Sequence, residues 1–217
     1  AKVVEQALVT AIQNPETAAT AWTTIGRMKR DAGEIQPAAE AARAGYAANG
    51  KAPGPIMLAL SLMNVVPSEV QPMISQYMAG DAMPDLRLGY ARTLIDMSEM
   101  RLALSQLNQL TQQNPEFAPG WLFLGLLQSD LSQVMQAEQS LKQYIAIAGK
   151  NPDPDLSGGL SEAYLALSQL AQKQGLLAQA DEWLAKIPPN ADPLKVASRR
   201  AILLAQQGRK ADGLKIL

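Results

Sequence analysis

One skeleton of residues recurs along this chain, and it constrains the fold more tightly than any other feature. Trp121-x-x-Leu124-Gly125 is followed by Ala137 and Leu141, and the same order returns as Trp22-x-x-Ile25-Gly26 with Gly33, Ala38 and Ala42. It returns again as Tyr164-x-x-Leu167-Ser168 with Gly175, Ala180 and Leu184. A weaker copy runs through Tyr90, Ala91, Leu94, Ala103 and Leu107 to Pro115, and a last one through Ala201, Leu204, Gly208, Gly213 and Leu217. Ala103 and Ala137 stand 34 residues apart. A unit of that size has nothing to bury its apolar face against, whereas a stack of such units builds a continuous core.

Each unit reads as helical. Ala, Leu and Gln dominate, aromatic residues are only 5%, and Val, Ile and Thr never alternate with polar residues over a strand's length. Breaks at Asn14-Pro15, Pro53-Gly54-Pro55, Pro67, Met83-Pro84, Asn114-Pro115, Asn151-Pro152, Pro188-Pro189 and Asp192-Pro193 divide the chain. The pieces are helices of about 10 to 17 residues. Ser68 with Gln71 fits a capping box, and Asp192 before Pro193 fits an N-cap. Two helices of a hairpin approach closely only where side chains are small, which suits Gly26, Gly125, Ala38, Ala103, Ala137 and Ala180. Trp22, Trp121 and Tyr164 are then the gap fillers between hairpins.

A large residue, Leu-Gly three and four residues later, a Gly turn, a small Ala and a closing Pro together resemble the tetratricopeptide repeat family. Asn114-Pro115, six residues before Trp121, has that family's spacing. The resemblance implies an all-α, right-handed superhelical solenoid of antiparallel helical hairpins, with about five to six repeats of which one is degenerate. The degenerate copy lies in the 65-residue interval from Ala38 to Ala103, with its first helix expected over Pro55 to Asn64 and its second over Ser68 to Ala79. Ile56, Met57, Leu58, Leu60, Leu62 and Met63 make that first helix apolar almost all round, so it is expected to be covered on several sides. The 43-residue interval from Ala137 to Ala180 places a loop at 149–157, joining sub-arrays 1–148 and 158–217 of a single array. Ala1 to Asn14 reads as the second helix of a preceding repeat, and the chain as a fragment of a longer protein.

Composition closes off several functions. The chain has no Cys and no His, which removes the usual zinc, thiol and Ser-His chemistry. Nineteen basic and twenty acidic residues, with no basic run, argue against nucleic acid. The longest nearly apolar stretch, Pro55 to Met63, is half a bilayer span, so no direct membrane insertion is expected. Gly45 to Ala52 misses a phosphate-binding loop, since a helix precedes it and Ala52 lacks the hydroxyl. That segment reads as a helix end capped by Gly50. Asp153-x-Asp155-x-Ser157-Gly158 imitates half a calcium loop, but Tyr164 stands where the bidentate Glu is needed. A solvated loop capped by Ser157 is the plainer reading. No enzyme activity and no cofactor are expected.

The resemblance implies instead a scaffold holding a protein or peptide, with first helices lining a concave groove. The exposed stripe is expected to run through Thr23, Thr24, Arg27 and Arg30, then Leu88 and Arg92, then Leu122, Phe123 and Leu126, then Leu165, Gln169 and Lys173, then Ser198, Arg199 and Ile202. Its middle is apolar and suits an amphipathic helix, unless Leu122, Phe123 and Leu126 pack on neighbouring helices. A clamp for acidic chaperone tails lacks its Lys/Asn set here. The alternative is a spacer or self-association module, forming a homodimer. Sequence texture resembles exported bacterial members, which implies the periplasm or cell envelope, with the cytoplasm as the alternative.

Overall fold

The computed structural model describes residues 2–150, 154–188 and 193–216, in two compact units, 1–106 and 107–217. Thirteen helices and no strand occur among the described residues. The first unit holds α1 (Lys2–Ile12), α2 (Ala18–Asp31), α3 (Ile35–Ala48), α4 (Pro53–Leu62), α5 (Pro67–Met78) and α6 (Pro84–Asp96). The boundary falls inside α7 (Met100–Gln113). The second unit holds α8 (Ala118–Asp130), α9 (Val134–Ala148), α10 (Pro154–Lys173), α11 (Leu177–Ala185), α12 (Pro193–Gln206) and α13 (Lys210–Leu214). Six helical hairpins follow α1, which packs on α2.

Small residues set the hairpin spacing, as expected. Ala38, Ala103, Ala137 and Ala180 are all wholly buried. A Cβ on Gly26 would collide with Leu58, and one on Gly125 would come within 2.7 Å of Leu141. Five hairpins turn the same way. Gly33, Ser98, Ser132, Gly175 and Gly208 each have a positive φ, between 59° and 82°. In each case the next residue's N–H reaches back five residues: Glu34 to the Lys29 carbonyl, Glu99 to Leu94, Gln133 to Gln128, Leu176 to Ala171 and Arg209 to Leu204, at 2.8–2.9 Å. This is the Schellman closure, which satisfies carbonyls that the helix end leaves open.

The degenerate hairpin is α4 with α5, and it lies close to its expected limits. α4 is surrounded by α2, α3, α5 and α6, which buries Ile56, Leu58, Ala59, Leu62 and Met63 and leaves Met57 half exposed. Its turn has no left-handed residue; Val66 N–H bonds to the Leu62 carbonyl instead, at 2.9 Å.

Three local expectations need correction. α5 begins at Pro67 with Val66 as its N-cap, so Ser68 is already inside the helix and forms no capping box. Proline's fixed φ favours the first helical position, and it took that place. α3 ends on an extended Asn49 rather than on a left-handed Gly50, and the Asn49 Oδ1 accepts a bond from the Lys51 N–H at 3.0 Å. The expected loop 149–157 is shorter, because α10 starts at Pro154 and takes in Asp155 and Ser157. Asp153, Asp192 and Leu217 lie outside the described residues.

Arg87 shows what replaces a missing aromatic. Sixteen residues separate Trp22 from Ala38, Trp121 from Ala137 and Tyr164 from Ala180, and the same step back from Ala103 falls on Arg87. Its side chain is wholly buried, and burial pulls its pKa below the usual arginine value. Its Nη2 donates to the Met78 and Gly80 carbonyls at 2.8 and 3.3 Å, and its Nη1 to Gln106 Oε1 at 2.8 Å. The carbonyls belong to the C-terminal end of α5, where the helix dipole favours a cation. Trp121 does a neutral version of this: its indole Nε1 donates to the Pro115 carbonyl at 2.8 Å, just beyond the end of α7.

Candidate functional site

In the first unit, α4 lies between α2 and α6, so these three first helices form one surface. The Arg30 guanidinium donates to Ser61 Oγ at 3.1 Å and ties α2 to α4. Helical spacing puts Arg27 beside Arg30, and Met57 on the face of Ser61. Thr24, Arg27, Met57, Ser61 and Arg92 are all exposed. Thr23 is not: it is buried against Gly54, and its hydroxyl donates to the Ala19 carbonyl at 2.7 Å. Met57 was not anticipated as a surface residue. It occupies the sector of α4 that its four neighbouring helices leave open.

The apolar centre expected for the stripe is largely core. Leu88 and Leu122 are each 8% exposed and Leu165 is 6%. Leu122 belongs to a cluster with Ala137, Leu141, Tyr144, Ala163 and Leu167, and Leu126 packs against its edge. The cause is the next first helix: α10 passes so close to α8 that a Cβ on Gly159 would stand 3.1 Å from Leu122 Cδ2. Phe123 and Leu126 remain half-buried on α8, Gln169 half-buried on α10 and Arg199 half-buried on α12. The second unit thus offers isolated apolar edges along its first helices rather than a continuous apolar floor.

Polar chemistry in the interior is structural. Ser140 Oγ donates to Gln128 Oε1 at 2.7 Å across the α8–α9 hairpin, and Ser168 Oγ to the Ala180 carbonyl at 2.8 Å across α10–α11. Tyr164 stacks on Trp183 with ring centroids 6.1 Å apart, and the Lys186 ammonium lies 4.1 Å above the Trp183 ring. Among the described residues no three acidic groups converge as metal ligands would. No described helix is long and apolar enough to cross a membrane.

With this geometry in hand, solved structures identify the fold class. The chain is similar to a tetratricopeptide repeat protein from Parabacteroides merdae, with 19% identity, a TM-score of 0.63, and coverage of 91% of this chain and 77% of that one. YrrB, described as a tetratricopeptide protein with an unusual peptide-binding site, matches at 15% identity and a TM-score of 0.61, covering 93% and 98%. PilF of Pseudomonas aeruginosa matches at 13% identity and a TM-score of 0.62, covering 93% and 90%. No known family's sequence profile matches, and no curated protein does. The chain has the tetratricopeptide fold, a helical-hairpin solenoid, and that is what these likenesses establish.

Proposed function

We propose that this chain is a protein-interaction scaffold whose first-helix surfaces hold a peptide or an amphipathic helix of another protein. The observation that carries the reading is the surface made by α2, α4 and α6. Arg27, Met57 and Arg92 stand exposed there, beside Thr24, Met28 and Ser61. Folding does not need an exposed methionine, whereas a partner gains from one. Burying the exposed half of Met57 would contribute about 0.8 to 1.5 kcal/mol, and arginine offers a fork of donors for carboxylates or main-chain carbonyls. The peptide-binding site ascribed to YrrB, on the same fold, supports the reading by analogy.

The competing reading is a spacer or self-association module. The resemblance to exported bacterial repeat proteins supports the periplasm or cell envelope as its place of work. In-cell photo-crosslinking addresses the function directly, with the reactive group at Arg27, Met57 or Phe123 and controls on the exposed second-helix residues Glu40 and Gln139. Repeated capture of one foreign protein from the first-helix positions, and not from the controls, is the expected result. Capture of the chain's own copies alone would displace the scaffold in favour of self-association.

A further inference from the structure

A second surface lies between the second helices of consecutive hairpins, α3 and α5. Two open lobes there, of about 460 and 330 Å³, share Tyr46 and Gln76 and so form one continuous trough. Tyr46 lines it from α3, and Pro72, Met73 and Tyr77 line it from α5. The trough follows α5 from Glu69 to Tyr77, eight residues and so about 12 Å of helix. Both ends are tied down. The Arg43 guanidinium bonds to the Glu69 carboxylate, and to the Glu69 carbonyl at 3.4 Å, which joins α3 to α5. At the other end the buried Arg87 holds the Met78 and Gly80 carbonyls, and a Cβ on Gly50 would stand 3.7 Å from the Tyr46 ring. Walls fixed in this way lower the ordering cost of taking up a ligand.

The chemistry facing the trough is aromatic, neutral and without partners. Tyr77 is only 8% exposed, yet its hydroxyl, like the Tyr46 hydroxyl and the Gln76 amide, forms no hydrogen bond among the described residues. A polar group so buried ordinarily has a partner. Charge cancels along the trough, because Arg43 is paired with Glu69 at one end and Lys51 is matched by Asp81 at the other. An uncharged ligand rich in hydrogen-bond acceptors is the complement. A helix cannot offer its backbone carbonyls, which are bonded internally, and no strand among the described residues provides a sheet edge for an extended one. A polyproline II segment leaves every carbonyl free, and its prolines carry no N–H that burial would orphan. At about 3.1 Å per residue, roughly four such residues span the trough.

We propose that the α3–α5 trough binds a proline-rich segment of another protein in the polyproline II conformation. Tyr46 and Tyr77 offer ring faces to the pyrrolidines, and their hydroxyls and the Gln76 amide donate to the segment's carbonyls. This surface goes beyond the first-helix surface proposed above and uses none of Arg27, Met57 or Arg92. Glu40, the crosslinking control on α3, does not line it. The probe is fluorescein-labelled decaproline, with a decamer of alternating Gly and Ser and a decamer of Glu as comparisons. Anisotropy titrations use the whole 217-residue chain.

Decaproline should bind at least about tenfold more tightly than either comparison, and its affinity should hardly change with salt. Tyr77→Phe keeps the ring and removes the hydroxyl, and it should weaken binding about threefold or more. Combining it with Gln76→Ala should weaken binding about tenfold or more. Circular dichroism melting of both variants should match the parent, since neither group loses a partner within the chain. Arg27→Glu should leave decaproline binding unaffected. Absence of binding, equal binding of either comparison peptide, or indifference to the Tyr77 and Gln76 substitutions overturns the proposal. None of these results bears on crosslinking from Arg27, Met57 or Phe123, so the two readings fail separately.

Discussion

At the scale of single residues, the left-handed turn positions divide into two kinds. Gly33, Gly175 and Gly208 adopt a positive φ without a Cβ penalty, whereas Ser98 and Ser132 hold φ near 60° with one. Ser98→Gly and Ser132→Gly should each therefore stabilise the chain, by about 0.5 to 1 kcal/mol. Urea midpoints of the single and double variants check this, and a double variant no more stable than the parent would refute it. A glycine announces such a turn in the sequence; a serine does not, and only the repeat register around Ser98 and Ser132 could have exposed them. Gly159 was equally hard to foresee. A Cβ there would collide with the Tyr144 hydroxyl and lie 2.9 Å from Tyr144 Cζ, so Gly159→Ala should cost about 1 to 3 kcal/mol, with part recovered in Gly159→Ala/Tyr144→Phe. Burial first, and Glu162 second, raise the Tyr144 pKa above its ordinary value. A phenol that keeps its proton longer in the folded than in the unfolded chain contributes fully below about pH 10, and that contribution is lost as pH rises through the folded value. Tyr144→Phe should accordingly flatten the decline in stability above about pH 10, as read from melting temperatures across that range.

At the scale of elements, the first-helix position occupied by Trp22, Trp121 and Tyr164 seats each first helix on its surroundings, and Arg87 extends that role by bonding. Arg87→Met keeps much of the volume and removes the donors, leaving the Met78 and Gly80 carbonyls and Gln106 without their guanidinium partner. The cost should be about 2 to 4 kcal/mol. Arg87→Lys should recover less than half of it, since one ammonium cannot reproduce a planar fork. Urea titrations of both variants decide the point, and an unperturbed Arg87→Met would show the bonds to be incidental. Counting sixteen residues back from Ala103 makes Arg87 legible in the sequence, but its unlike chemistry hides it from a search for aromatics. The hairpins and their small residues were legible for the opposite reason: helix periodicity, Pro breaks and repeated Gly or Ala are all local signals. The fate of Leu122 was not, because its exposure depends on how closely the next first helix passes, and no residue spacing within one helix encodes that.

At the scale of the whole molecule, the described packing within each unit joins helices one or two positions apart in chain order, as α2 with α3 and α4, or α8 with α9 and α10. Stability in such a stack is a sum of hairpin terms and nearest-neighbour terms, so a defect should be felt locally rather than shared by the entire chain. Leu141 is a suitable place to look. It is wholly buried in α9, its side chain closes on Gly125, and it belongs to the cluster that also holds Leu122, Tyr144 and Leu167. Leu141→Ala should cost about 2 to 5 kcal/mol through lost burial and the cavity it leaves. Hydrogen exchange in α8, α9 and α10 should accelerate strongly, while exchange in α2 and α3 of the first unit should change much less. Equal acceleration everywhere would mean that the chain unfolds as one cooperative body. A one-dimensional response would mean that each hairpin has its own stability, so that a partner docked along α2, α4 and α6 could order those helices with little demand on the rest of the stack.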